Sequence, residues 1–175
     1  MYVVDLGTST AECHSGRVES DLDYGMRYIY DKIGTIMGTG KASWNVGIVG
    51  CRTDDTDNPL QEQGEEYQNI TVLKPLGPMS LSQLNEIRQK IVPNETENGD
   101  VVSGVVLAID MIDKFTMLKS GKPGKFIRKI VLLTDGQGEI DDDIESIADK
   151  INESDIELVV MCVPTLPPDP CIQVG

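Results

Sequence analysis

The chain has 175 residues, 39% of them hydrophobic, which suits one domain with its own core and is too short for two domains of ordinary size. Fifteen Lys and Arg residues against 29 Asp and Glu residues give a net charge of −14, which disfavours a nucleic-acid-binding surface because such surfaces depend on Lys and Arg. No apolar run reaches the roughly 18 residues of a membrane span, and no secretory leader is recognised, so we expect no membrane contact.

The first half of the chain alternates apolar runs with a helical stripe. Residues 2–6 (YVVDL) and 45–51 (NVGIVGC) predict two buried strands. Between them, Asp21 is expected to cap a helix, and Gly38 and Gly40 to end it. The apolar stripe of this helix consists of Leu22, Met26, Ile29, Ile33 and Ile36. Residues 67–73 predict a further strand, which pairs antiparallel with the strand at 45–51.

Two helices are predicted in the middle of the chain. Ser80 and Gln83 form the pattern of a capping box, which starts a short amphipathic helix. Residues 100–117 are apolar nearly all round, as expected of a helix that is buried on most sides, and Asp100 is placed to cap it.

The last third of the chain predicts two more strands with a helix between them. Residues 126–136 form a strand that ends in Thr-Asp-Gly, and residues 156–163 form the last strand. A single apolar stripe is expected to face the sheet from the helix between them: Ile140, Ile144, Ile147 and Ile151.

This order of elements predicts an α/β fold of three layers, with a mostly parallel sheet, helices on both faces and one antiparallel edge strand. Residues 1–163 are expected to form the domain, and the Pro-rich residues 164–175 a tail. The four cysteines (Cys13, Cys51, Cys162 and Cys171) form neither a CxxC pair nor a zinc pattern, so we expect reduced thiols of an intracellular protein. The single histidine, His14, is expected in a surface loop.

Polar residues are predicted to converge at the carboxyl edge of this sheet, where α/β proteins bind ligands. The motif D-L-G-T-S at residues 5–9 resembles the metal-ion-dependent adhesion site of von Willebrand factor A domains. Asp5, Ser9 and Asp135 match that pattern, whereas Gly7 replaces the first hydroxyl ligand and Asp100 stands where a Thr is expected. Mg²⁺ is the hard ion that such oxygen ligands would hold, but the missing hydroxyl predicts a degenerate site, and no cofactor is expected.

Two other functions remain open from this motif. One is an adhesion-type domain that binds its ligand through the metal. The other is an ATPase, because D-L-G-T-S also resembles the phosphate loop of the sugar-kinase and actin fold. That fold requires a β-hairpin directly after the loop, and here a polar segment and a helix are predicted, so no enzymatic activity is expected.

A longer motif favours neither of these two functions. The stretch T-D-D-T-D-N-P-L at residues 53–60, followed by Y-Q-N-I-T-V at 67–72, closely resembles the von Willebrand factor A domain of the larger subunit of the Ku heterodimer, of the fungal type. The segments VVDLGTS and VLLTDG fit the same domain in the same order, so the resemblance covers essentially the whole chain.

The resemblance implies a protein-interaction domain that works with the smaller Ku subunit. DNA ends would be bound only by a β-barrel ring that follows the tail, for non-homologous end joining and telomere maintenance in the nucleus. The family is sometimes labelled an ATP-dependent helicase, but no nucleotide-binding motif is recognised. The expected partners of the domain itself are repair and telomere factors with short basic peptides, which suit a charge of −14.

An acidic helix is the predicted docking surface for such partners. Its polar residues are Asp141, Asp142, Asp143, Glu145, Ser146 and Asp149. Acidic residues in a first turn also stabilise the helix dipole, so helix stability and solubility are the alternative explanation. The resemblance favours docking, because the matching outer helix of the larger Ku subunit is associated with telomeric silencing partners.

Overall fold

The computed structural model describes residues 1–14, 16–40, 44–121, 124–138, 140 and 144–163. The strands are β1 (Tyr2–Asp5), β2 (Val46–Cys51), β3 (Ile70–Gly77), β4 (Arg128–Thr134) and β5 (Ile156–Cys162). The helices are α1 (Asp21–Gly38), α2 (Leu81–Lys90), α3 (Val101–Thr116) and α4 (Ile144–Glu153). The predicted order of elements is confirmed. The predicted tail, residues 164–175, lies outside the described residues.

The five strands form one sheet in the order β3-β2-β1-β4-β5. The pairs β2–β1, β1–β4 and β4–β5 are parallel, and β3 pairs antiparallel with β2 at the edge. This confirms the predicted sheet. The central strands were readable as apolar runs because helices cover them on both faces, and a strand in that position is apolar on both sides.

The two faces of the sheet carry separate apolar clusters. Side chains of a strand point alternately to opposite faces. Accordingly, Val3 of β1 packs with α3 and α4, whereas its neighbours Tyr2 and Val4 pack with α1 and α2. The molecule therefore has the three predicted layers. None of the helices among the described residues is both long and apolar enough to cross a membrane.

The start of α1 differs from the prediction. Ser20, not Asp21, is the N-cap, and its hydroxyl accepts a hydrogen bond from the backbone N–H of Asp23 at 3.1 Å. Asp21 lies in the first turn and is buried. Its carboxylate contacts the guanidinium of Arg17 and, at 2.7 Å, the ring of His14. His14 is therefore partly buried and anchors the loop through Asp21, whereas the sequence predicts only a position in a surface loop.

The caps of α2 and α3 are confirmed. Ser80 and Gln83 form both hydrogen bonds of a capping box. The Asp100 carboxylate accepts a hydrogen bond from the backbone N–H of Val102 at 2.7 Å and so holds the first turn of α3.

Strand β3 begins three residues later than predicted. Residues 65–67 form a turn of 3₁₀ helix instead, and Asn69 has a positive φ of 57° that redirects the backbone into the strand. Strand β4 is shorter than the predicted 126–136, because Ile127 is 98% exposed and lies before the pairing with β5 begins.

The apolar stripe of α4 is shorter than predicted. Ile147 and Ile151 pack against the sheet. Ile140 and Ile144 are 51% and 57% exposed, so the expectation that all four face the sheet was wrong. Ile140 lies outside the described helix, which begins at Ile144.

Candidate functional site at the carboxyl edge of the sheet

Three neighbouring parallel strands end at the same edge and bring charged residues together. Asp5 is the last residue of β1, Asp135 follows β4, and Arg52 follows β2. All three side chains are buried, and Arg52 is only 2% exposed. The edge at which α/β sheets bind ligands therefore holds two carboxylates and one guanidinium in this protein.

The guanidinium of Arg52 bridges both carboxylates. Its Nε and Nη2 donate to the two oxygens of Asp5 at 2.6 and 2.7 Å. The same Nη2 donates to Oδ1 of Asp135 at 3.0 Å. The pair with Asp5 is bidentate, which is the strongest arrangement available to an arginine and a carboxylate.

Hydroxyl and backbone groups complete the network. Ser9 Oγ donates to Oδ2 of Asp135 at 2.5 Å, and Thr134 Oγ1 donates to Oδ2 of Asp5 at 2.7 Å. The backbone N–H of Gly7 donates to Oδ1 of Asp5 at 3.1 Å. Every carboxylate oxygen of the two aspartates thus accepts at least one hydrogen bond, as burial of charge requires.

The electrostatics favour the charged form of Arg52. Burial alone would lower the pKa of its guanidinium, but hydrogen bonds and charge from Asp5, followed by the charge of Asp135, outweigh burial and raise that pKa. The backbone of Arg52 has a φ of 54°, in the left-handed region that disfavours residues other than glycine. The ion pairs therefore hold Arg52 in a conformation that its own backbone does not prefer.

Gly7 makes room for this guanidinium. A Cβ at position 7 would lie 2.4 Å from Cζ of Arg52, far inside van der Waals contact. A side chain at position 7 and the observed position of Arg52 therefore exclude each other. This explains physically why a glycine stands where the adhesion-type motif has its first hydroxyl.

The predicted metal residues are only partly assembled as a metal site. Asp5, Ser9 and Asp135 do come together, but around Arg52. Asp100 lines the cleft above them, while its carboxylate caps α3 and accepts from the hydroxyl of Ser103 at 3.4 Å. Among the described residues, no group of three or more His, Cys, Asp or Glu side chains could hold a metal ion. The residues present therefore do not fit Mg²⁺.

Sequence reasoning missed Arg52. The available signal was an arginine directly after a buried apolar run, on a strand expected beside β1 and its terminal aspartate. An unpaired charge at such a position would be costly, so a carboxylate partner could have been sought at the neighbouring strand ends.

A cleft of about 930 Å³ opens above Arg52 and Ser9. Acidic residues dominate its charged lining: Glu12, Glu65, Glu66, Glu97 and Asp100. Arg52 is the basic residue in that lining, and its charge is already paired with Asp5 and Asp135. The field in the cleft therefore favours cations over anions.

The motif at residues 53–60 is held by its own side chains. The amide of Asn58 donates to the carbonyl oxygens of Tyr67 and Ile70 at 2.9 and 2.8 Å. The carboxylate of Asp54 accepts from the backbone N–H groups of Glu95 and Thr96 at 3.1 and 3.0 Å. The motif thus ties the loop after β2 to β3 and to the segment before α3.

The acidic face of α4 is the second candidate surface. Glu145, Ser146 and Asp149 are exposed, whereas Asp141, Asp142 and Asp143 lie outside the described residues. Glu145 and Asp149 are four residues apart and so share a helix face, away from Ile147 and Ile151. This face points away from the core and carries concentrated negative charge.

Sequence comparison decides the family. A family profile described as the Ku70/Ku80 N-terminal alpha/beta domain matches residues 1–166. The chain belongs to this family. The predicted resemblance to Ku is confirmed, and the sugar-kinase and actin alternative is wrong for this fold, because β1 and β2 are parallel strands joined through α1 and do not form a hairpin.

Three relatives of this chain are fungal proteins. A protein of Neurospora crassa is 47% identical over 165 residues and one of Chaetomium globosum is 46% identical over 165 residues; in each case the match covers 93% of this chain and 22% of the relative. A protein of Coccidioides immitis is 42% identical over 172 residues, 97% of this chain and 23% of the relative. All three are named ATP-dependent DNA helicase II subunit 2. The chain thus spans less than a quarter of the length of these relatives.

A solved structure supports the fold. An aerotolerance-related membrane protein from Bacteroides fragilis superposes with a TM-score of 0.52 at 15% identity, over 93% of this chain and 65% of that one. At this identity the similarity concerns the α/β fold alone.

Proposed function

We propose that this Ku domain is a protein-docking module of the larger Ku subunit and has no catalytic activity of its own. Together with the smaller subunit, the whole protein would bind DNA double-strand ends in non-homologous end joining and act at telomeres, in the nucleus. Family membership and the names of the fungal relatives support this proposal. Contact with DNA would be made by parts of the protein outside this chain.

The observation that carries the docking role is the exposed acidic face of α4. Glu145 and Asp149 lie on one side of the helix, while Ile147 and Ile151 anchor its other side to the sheet. The exposed Ile144 adds apolar surface beside them. A short basic segment with an apolar residue would match both features, because complementary charge steers the encounter and apolar burial stabilises the complex.

The relatives are named as subunits of an ATP-dependent helicase, but we propose no ATP-dependent activity for the domain itself. At the carboxyl edge of the sheet, where a nucleotide would bind in an α/β protein, Arg52 forms ion pairs with Asp5 and Asp135 at the base of the cleft. The charge of Arg52 is thus already paired, and the charged lining of the cleft above it is mainly acidic, which disfavours the phosphates of a nucleotide.

Charge reversal on α4 tests the docking role. Glu145→Lys together with Asp149→Lys would be introduced into the complete subunit, expressed with its partner subunit in cells. We expect loss of telomere maintenance with end joining retained. Each exposed substitution should change folding stability by no more than about 0.5 kcal/mol.

A matched control distinguishes an effect of the position on α4 from an effect of the change in net charge. Asp31 on α1 and Glu62 in the loop after β2 are also exposed, and reversing both to Lys changes the net charge by the same amount. This control variant should keep both functions. The docking role of α4 is wrong if the α4 variant keeps telomere maintenance, or if the control variant loses it equally.

A further inference from the structure

We propose that the guanidinium of Arg52 is a built-in replacement for the divalent cation of an adhesion-type site, so that the carboxyl edge carries its positive charge without any metal. This inference concerns the interior of the sheet edge and is independent of docking on α4. Its starting point is that Asp5, Ser9 and Asp135, which the adhesion-type pattern would place around an ion, all hydrogen-bond to Arg52.

The contacts of Arg52 with Asp5, Ser9 and Asp135 have the lengths of hydrogen bonds. They range from 2.6 to 3.1 Å. Mg²⁺ would need oxygen ligands at about 2.0–2.1 Å in an octahedral array. An ion could reach those distances only if the guanidinium left, because both carboxylates already point their oxygens at it. If the guanidinium moved away, its buried positive charge would lose its carboxylate partners. Exchange of the guanidinium for an ion is therefore unfavourable.

Gly7 and Arg52 form a matched pair that encodes this replacement. The adhesion-type motif has a hydroxyl at position 7, and the observed guanidinium occupies the space of that side chain, 2.4 Å from a Cβ built there. The sequence can therefore supply either the hydroxyl ligand or the arginine, but not both in these positions. The positive φ of Arg52 makes glycine the natural substitute when the arginine is removed.

The first test is the dependence of stability on metal. The melting temperature of the 175-residue chain should be the same in EDTA and in millimolar Mg²⁺ or Mn²⁺. Arg52→Gly leaves Asp5 and Asp135 buried together without a counter-charge, so its melting temperature in EDTA should fall by roughly 10 °C. Mn²⁺ should restore part of that loss, because an ion that binds only the folded state stabilises it.

The second test is the coupling between positions 7 and 52. Gly7→Ser should destabilise the wild-type chain and have little effect in the Arg52→Gly background. The double variant should bind Mn²⁺ as seen by electron paramagnetic resonance, whereas the wild-type chain should not. Gly34→Ser is the matched control, because position 34 is exposed and a Cβ there meets nothing within 4 Å.

Three results would overturn the proposal. The first is a wild-type chain whose melting temperature rises with Mg²⁺ or Mn²⁺. The second is a Gly7→Ser effect that is equal in both backgrounds. The third is a folded double variant that binds no Mn²⁺. If Arg52→Gly does not fold in EDTA, refolding in Mn²⁺ becomes the measurement, and recovery supports the proposal while failure to recover counts against it.

Discussion

Gly104 sets the distance between α3 and the sheet, and its substitution should reveal how tightly that interface is packed. A Cβ at position 104 would lie 2.1 Å from Sγ of Cys51 and 3.1 Å from Cγ1 of Val3. Both neighbours are fully buried, so neither can move into solvent. We therefore expect Gly104→Ala to lower the free energy of unfolding, although alanine is the better helix former.

The magnitude follows from two opposing terms. Replacing Gly by Ala within a helix favours folding by about 1 kcal/mol. Forcing an extra carbon into a packed core costs about 1–3 kcal/mol, and the severe overlap with Cys51 places this site near about 3 kcal/mol. The net loss is about 2 kcal/mol, which for a domain of this size lowers the melting temperature by roughly 4–8 °C.

Urea unfolding of four variants measures this effect: Gly104→Ala, Gly34→Ala, Cys51→Ala and the double variant of Cys51→Ala with Gly104→Ala. Gly34→Ala on the exposed side of α1 is the control, and it should stabilise by up to about 1 kcal/mol, since a Cβ there meets nothing. In a Cys51→Ala background the obstructing sulfur is gone, so Gly104→Ala should become neutral or stabilising. If Gly104→Ala stabilises the wild-type chain, or if its cost is unchanged by Cys51→Ala, then contact with the Cys51 sulfur does not limit the space at position 104.

Two further outcomes are expected. Burial, followed by the charges of Asp5 and Asp100, raises the pKa of the Cys51 thiol well above its usual range, so a maleimide should label the exposed Cys13 and Cys162 within minutes and Cys51 only after unfolding. Mass spectrometry of the peptides checks this, and rapid labelling of Cys51 in the folded chain would show that α3 opens readily. The chain should not shift double-stranded DNA ends in a gel at micromolar concentration and about 150 mM salt, because its net charge is −14. A clear shift there would reveal a basic patch that the charge balance conceals.

The sequence predicts well the strands that are buried on both faces and the helix caps that depend on neighbouring residues. Strands β1, β2 and β4 are covered on both faces, so an apolar run is sufficient to identify them. The capping box at Ser80 and the cap at Asp100 are local patterns, completed by residues within three positions. Such features depend on neighbours in sequence and therefore need no knowledge of the fold.

The errors lie at residues whose role depends on tertiary contacts or burial and not on residue type or helical spacing. Ser20 and Asp21 are both good caps by residue type, and the contacts of Asp21 with Arg17 and His14 settle which one serves. Helical spacing alone placed Ile144 on the apolar stripe, although it is exposed at the first turn of α4. Arg52 pairs with residues 47 and 83 positions away, a relation that no local pattern encodes.

The pairing of β1 with β4 has a consequence for folding during synthesis. Tyr2 pairs with Val131, so one edge of the first strand stays open until nearly the whole domain has been made. About 80 residues separate the ends of β2 and β4, which at roughly 5–20 residues per second corresponds to roughly 4–16 seconds on the ribosome. Arg52 lies 47 residues after Asp5, and Asp135 lies 83 residues after Arg52. The ion pair with Asp5 therefore requires only the first two strands to have been made, whereas the ion pair with Asp135 also requires the strand that closes the open edge.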